Sequence, residues 1–119
     1  MDIEKTIKNL EARHFSVRHF KSGGEACEYL LGEIKDTSVG IGGSKTVDQL
    51  GLYDKLAANG NEVFWHWREP GLDTLDKENA ARVFISSANA IAETGEIINI
   101  DGRGNRLAGL VYGRKTVYI

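Results

Sequence analysis

Between Gly40 and Thr46 the chain reads Gly-Ile-Gly-Gly-Ser-Lys-Thr, which puts two adjacent glycines, two hydroxyls and a cation in one short stretch. Such residues suit an anion. Gly42 and Gly43 lack a Cβ, so a ligand can approach the backbone closely. A turn running from a strand into a capped helix aims several N–H groups at one point. The helix dipole there favours negative charge by roughly 0.3–1 kcal/mol. Ser44 and Thr46 supply hydroxyls, and Lys45 a positive charge. A phosphate, a carboxylate or a phosphopantetheine-type tail matches this cradle. Two nucleotide motifs fail on spacing. A Walker loop needs glycine before its lysine, where Ser44 stands, and a dinucleotide fingerprint begun at Gly40 needs glycine in place of Lys45. The plain alternative is a tight turn that happens to contain glycine.

A second constellation lies between Ser86 and Arg106. Asn89, Glu93, Asp101, Asn105 and Arg106 are set among small residues that follow an apolar segment, and small residues at a strand exit leave room for a ligand. Asp101-Gly102-Arg103-Gly104-Asn105 brings an acceptor, an amide and an arginine into one Gly-rich turn, and Arg106 beside it can hold a carboxylate or phosphate in bidentate fashion. Glu93, or Asp101 if partly buried, is the natural acid/base group, and Glu93 is the one catalytic assignment this reading makes. Each turn alone reads as an ordinary surface turn. Together with the upstream glycine loop they read as two walls of one pocket. Gly42, Gly43, Ser44, Lys45 and Thr46 form one wall, and Asn89, Asp101, Gly102, Asn105 and Arg106 the other.

Other chemistry is excluded or weak. With 15 Lys+Arg against 17 Asp+Glu the formal charge is -2, without the basic excess a phosphate-neutralising nucleic-acid binder needs. The single cysteine, Cys27, sits among Ala26, Leu30, Leu31 and Ile34 and reads as a buried apolar residue. No CxxC pair or GxSxG elbow exists, and His14 and His19 stand without metal-ligand spacing, so no metal is expected and no cofactor is specified. Phe64, Trp65, His66 and Trp67 read as a buried or interface strand rather than a base-stacking platform. No apolar run reaches the length of a membrane span, and the start, Met1-Asp2-Ile3-Glu4-Lys5, is unlike a signal peptide. A cytoplasmic chain with no membrane partner is expected.

The elements that must position these residues follow from periodicity. At 119 residues a single domain is expected, large enough to fold without disulfides or metal. Ile3, Ile7 and Leu10 predict a helix over 2–13. Phe15 to Phe20 alternates as a short strand of mixed character, and Ser22 caps a helix running to about Ile34. Ser38–Ile41 is a strand. Thr46 with Gln49 forms a capping box that starts a helix ended by Asn59-Gly60. Residues 62–67 and 83–86 are strands, with a short helix capped by Thr74 between them. Thr94-Gly95 turns Ile97–Ile100 back as a hairpin arm, Leu107–Val111 is helical, and Thr116–Ile119 is the last strand. This succession predicts an α/β fold with a mainly parallel sheet flanked by helices. The final strand lacks a covering element, so a homo-oligomer is expected.

The segments GIGGSKTVDQLGL and SSANAIAETGEIINIDGRGNRLAGLVYG together resemble the LUD-domain (lactate-utilisation, LutC-like) family. Its GGS-x-T turn, SANA segment and DG-x-GNR turn all stand unbroken here, and the likeness extends over nearly the whole chain. The resemblance implies a NagB/RpiA/CoA-transferase-like fold, whose relatives handle phosphosugars, CoA thioesters or folates. It also implies a role in lactate utilisation beside iron–sulfur partner proteins. Relatives commonly run on past the strand matching Thr116–Ile119, which implies a chain incomplete at that end. Gln49 stands where the family pattern has glutamate. The function expected is therefore binding of a small anionic molecule in organic-acid metabolism. The alternatives are a non-catalytic subunit docking an iron–sulfur redox partner and, by fold analogy alone, a sugar-phosphate isomerase.

Overall fold

The computed structural model covers residues 1–119. Helices α1 (Ile3–Ala12) and α2 (Gly23–Glu33) come first. Asp2 accepts a hydrogen bond from the Lys5 N–H, and Ser22 Oγ one from that of Glu25, so each helix begins where an oxygen satisfies an otherwise orphaned donor. Residues 15–20, expected as a strand, form none. Alternation groups Phe15 and Val17 with His19, and Phe20 with Ser16 and Arg18. Neither side is apolar enough to seat a strand in one register.

Strand β1 (Ser38–Ile41) leads into α3 (Lys45–Gln49) and α4 (Leu52–Ala58), and β2 (Glu62–Phe64) into α5 (Leu72–Ala80). After β3 (Val83–Ile85) come β4 (Ala90–Ile91) and β5 (Ile97–Ile98), then α6 (Asn105–Val111) and β6 (Thr116–Tyr118). Four strands form a parallel sheet in the order β2-β1-β3-β6, with Val39 opposite both Val63 and Val83, and Phe84 opposite Val117. The hairpin β4–β5 pairs separately, Ala90 opposite Ile98, with the turn at Thr94-Gly95 as predicted. The architecture is the expected α/β sheet flanked by helices.

The period of two along β1 and β3 assigns the layers. Val39, Ile41, Val83 and Ile85 share one buried cluster with Cys27 of α2, Val47 of α3, and Leu52 and Leu56 of α4. The opposite face carries Gly40 and Phe84, over which α5 and α6 lie. A Cβ on Gly40 would stand 2.4 Å from the Glu78 carbonyl oxygen, and one on Gly109 of α6 would meet the Phe84 ring at 2.5 Å. Glycine at these two places sets how closely the helices approach the sheet.

Four local boundaries differ from the sequence reading. Ser44, not Thr46, caps α3, its Oγ accepting the Val47 N–H at 3.1 Å. The following helix breaks at Gly51, whose φ of +67° suits glycine best, into α3 and α4. β2 stops at Phe64, because the Trp65 carbonyl accepts the N–H groups of Arg68 and Glu69 at 3.0 Å and turns the chain. Helix α5 starts at Leu72, so Thr74 is a buried residue inside it rather than its cap.

The chain leaves β1 for β2 on one side of the sheet and β3 for β6 on the other. The carboxyl ends of the adjacent strands β1 and β3 therefore flank a topological switch point, where open α/β sheets hold ligands. No helix is long and apolar enough to cross a membrane.

Candidate functional site

The loop after β1 and the exit of β3 are joined by hydroxyls. Ser44, 3% exposed, shares a hydrogen bond of 2.9 Å with Ser87 while capping α3, so its oxygen is occupied within the protein. Gly42 continues the sheet by donating to the Ile85 carbonyl at 2.9 Å. A Cβ at Gly42 would stand about 3 Å from Arg106 Cγ, Ser86 Oγ and Phe84 Cζ, so a side chain there would crowd the arginine that crosses beside it.

Arg106, in the first turn of α6, closes the gap between the two constellations. Its Nη1 donates to the Gly43 carbonyl at 3.1 Å and its Nη2 to the Ile100 carbonyl at 2.8 Å, with a further Nη2 hydrogen bond to Asn89 Oδ1. Asn89 Oδ1 also accepts the Ile100 N–H, which fixes the amide. Every acceptor on this guanidinium is neutral, and no carboxylate forms an ion pair with it. Buried Nε has no partner at all.

Asp101 organises the same turn. Its Oδ2 accepts the N–H groups of Arg106 and Leu107 at 2.9 and 3.1 Å, and its Oδ1 that of Arg103. Burial alone would raise its pKa, but the surrounding backbone donors outweigh it and hold the carboxyl below its ordinary value. Asp101 is thus an ionised cap for α6, which has no cap of its own at Gly104.

These groups border a cavity of about 390 Å³, within the size range of small-molecule sites. Gly43, Asp101, Asn105 and Arg106 line it, as do His66, Trp67, Ile100 and Arg103. The structure thus brings four of the sequence-predicted residues to one hollow, with Gly42 and Asn89 supporting Arg106 behind it. Lys45, Thr46 and Gly102 are exposed and take no part in its lining.

Glu93 lies elsewhere. Its Oε1 accepts the Asp2 N–H at 2.9 Å, its other oxygen is 3.7 Å from Lys5 Nζ, and its carbonyl accepts from Asn9 Nδ2. Together with Arg13, which holds the Thr94 carbonyl and the Glu96 carboxylate, it fastens the β4–β5 hairpin to α1. Glu93 is not among the cavity residues.

Three side chains that the sequence reading passed over matter most. Trp67 stacks on buried Trp65 with ring centroids 5.2 Å apart, and its indole lies against Gly43. Arg103 lines the cavity with no ion-pair partner. His66 Nδ1 lies 2.8 and 3.0 Å from the two oxygens of Glu78, and the nearer one, Oε2, also accepts the His66 backbone N–H at 2.9 Å. Glu78, at 1% exposure, is buried beneath the cavity wall. Burial pushes its carboxyl above the ordinary value, and the hydrogen bonds and charge of His66 offset this only in part. The available signal was a polar residue between two tryptophans and a glutamate on the sheet-facing side of α5.

No group of three His, Cys, Asp or Glu side chains gathers where it could hold a metal ion.

The fold and cavity define an open parallel α/β domain with a polar hollow at the carboxyl ends of its central strands. The model of one family, described as the LUD domain, matches residues 3–119. The chain belongs to the LUD-domain family, which is linked in general to lactate utilisation. Neither the curated proteins nor the solved structures gave a match.

Proposed function

We propose that this LUD domain binds a small anionic molecule, a short carboxylate or a phosphate, in the hollow between Gly43 and the turn 100–106. The observation that carries this reading is the guanidinium of Arg106, half-buried, held by neutral acceptors and without a counter-ion. Arg103 adds a second unpaired cation to the same wall. Asp101 is the opposing carboxylate in the lining, and its oxygens face backbone donors of its own turn. Both cations line the hollow, whereas the oxygens of Asp101 are taken up by its own turn and those of Glu78 by His66 behind the wall, so the hollow favours negative charge. Apart from Trp67 and Ile100 the lining is polar or backbone, which suits a compact ion better than an apolar cofactor.

The reading fits a family tied to organic-acid metabolism, and lactate and inorganic phosphate are the natural first probes. Isothermal titration should show either one binding, with the affinity reduced about tenfold or more in Arg103→Ala. The Arg103 side chain makes no intramolecular hydrogen bond, so that variant keeps the fold. Absence of binding by both anions, or equal binding by the variant, overturns the proposal. Co-purification with an iron–sulfur protein in the absence of any anion binding favours a docking subunit instead.

A further inference from the structure

His66 and Glu78 form a pair built into the cavity wall. Glu78 is buried on α5, and both of its oxygens lie within hydrogen-bond reach of one imidazole nitrogen, Nδ1. The nearer oxygen, Oε2, also accepts the His66 backbone N–H. Nε2 makes no hydrogen bond within the protein, and the ring lines the hollow at 18% side-chain exposure. The number of protons on the pair decides what Nε2 presents. With one, Nδ1–H donates to the carboxylate and Nε2 shows the hollow a lone pair, which repels an anion. With two, one proton lies between Nδ1 and the carboxylate, and the other stands on Nε2. This holds whether the inner proton sits on nitrogen or on oxygen.

We infer that His66 is a third anion-contacting residue of this cavity, donating from Nε2, and that the His66–Glu78 pair takes up one proton as a small anion enters. This rests on the anion-binding reading above and extends it to the form in which the ligand is held. With the pair singly protonated, Arg103 and Arg106 against Asp101 and Glu78 sum to zero. A monoanion then leaves one negative charge unmatched, and a proton taken from solvent restores the balance. Negative charge beside Nε2 favours the protonated ring, and by reciprocity the added proton favours the anion. Burial pushes the Glu78 carboxyl above its ordinary value, which acts in the same direction. The charged groups facing His66 are Glu78 from α5, Arg103 and Asp101 from the turn after β5, and Arg106 from α6. The loop before α3 brings only Gly43 to the lining, and Arg68, next but one to His66, pairs with Asp48 and Asp54. Asp101 is held below its ordinary value and arginine stays charged, so near neutral pH the pair is the group that titrates. Glu78 acts as a positioning residue, and His66 touches the ligand.

Isothermal titration with lactate and with sulfate tests this, since neither anion titrates near neutral pH. Near pH 7, heats measured in two buffers of unlike ionisation enthalpy count the protons, and the parent should take up about half a proton or more per anion bound. Between about pH 6 and pH 8, where an imidazole titrates, its affinity should fall about fivefold or more. In His66→Asn the uptake should vanish and the affinity stay flat with pH. Glu78→Gln supplies the contrast. Its amide oxygen can accept the His66 N–H while its NH2 group donates to Nδ1, which leaves Nε2–H on a neutral ring. That variant should take up no proton and keep the parent's low-pH affinity across the range, whereas a merely structural defect would weaken binding throughout. Anion binding by the parent without proton uptake, or binding by Glu78→Gln weakened equally at every pH, overturns the inference and leaves anion binding standing. If neither anion binds, both readings fall.

Discussion

Arg106 Nη1 donates to the carbonyl oxygen of Gly43 over 3.1 Å, bridging two Gly-rich turns 63 positions apart. The bond exists because Gly42 leaves a gap beside β1 through which the arginine side chain passes. Packing and site are therefore one feature: the residue that closes the hollow is also its central cation.

Replacing Arg106 with lysine tests that double role. An ammonium is a point donor and cannot span Gly43, Asn89 and Ile100 as the planar fork does. The variant should lose about 1–3 kcal/mol of stability, in line with the loss of hydrogen bonds to a charged group. Urea denaturation should show the midpoint falling at an unchanged slope, the mark of a stability change alone. An unaltered midpoint would mean that the bridge between the turns adds nothing.

Gly40 and Gly102 make a matched pair for the packing of α5. A methyl at Gly40 runs into the backbone of Glu78, which cannot swing aside as a side-chain tip does. Gly40→Ala should therefore destabilise the protein by about 1–3 kcal/mol or more, through displacement of α5. It should also disturb the cavity wall, because Glu78, which holds His66, moves with its helix. At Gly102 a Cβ meets nothing within 4 Å, and the backbone there does not require glycine. Gly102→Ala should stay within about 0.5 kcal/mol of the parent. Thermal melts of the two variants side by side check both statements.

The parallel sheet was legible because β1 and β3 are short apolar runs between turn signals. Their neighbours β2 and β6 follow the same pattern, and the resemblance of the glycine turns named the family. Local ambiguity defeated the start of α3. Ser44 and Thr46 both stand three residues before a plausible partner, and Gln49 favours Thr46. The structure uses Ser44, which puts Val47 in the core and gains the bond to Ser87. Long-range docking placed Glu93 outside the hollow, since its partner Asp2 lies 91 positions away at the cap of α1. His66 was missed for a related reason. The strand ends two residues before it, and its partner Glu78 belongs to another element. Alternation alone does not show where the ring points once the chain has turned at Trp65.

The buried carboxyl of Glu78 makes a signed prediction about pH. Its pKa is raised above 4.5 by burial, so the native state holds the proton more tightly than the unfolded chain does. The corresponding stability is fully present below about the ordinary carboxylate range and is lost as pH rises through the raised value. Glu78→Gln removes this dependence. The stability of the variant relative to the parent should therefore climb as pH rises across that window, measured by denaturant titration at several pH values. A relative stability that falls with rising pH would show that His66 more than compensates for burial.

Asp101 carries the opposite sign. Backbone donors from Arg103, Gly104, Arg106 and Leu107 hold its carboxyl below 3.8, although burial pulls the other way. Its contribution is complete above the ordinary value and is lost as pH falls through the lowered one. Asp101→Ala leaves the first turn of α6 without an acceptor, at a cost of about 0.5–2 kcal/mol. That loss should be full at neutral pH and shrink on acidification, as the parent carboxyl takes up its proton. Asp101→Asn, which keeps one acceptor oxygen, should fall between the two. Because Arg106 starts from this turn, Asp101→Ala should also weaken phosphate or lactate binding. If calorimetry showed tighter binding in Asp101→Ala, removal of a competing negative charge would outweigh the loss of the turn that positions the arginine.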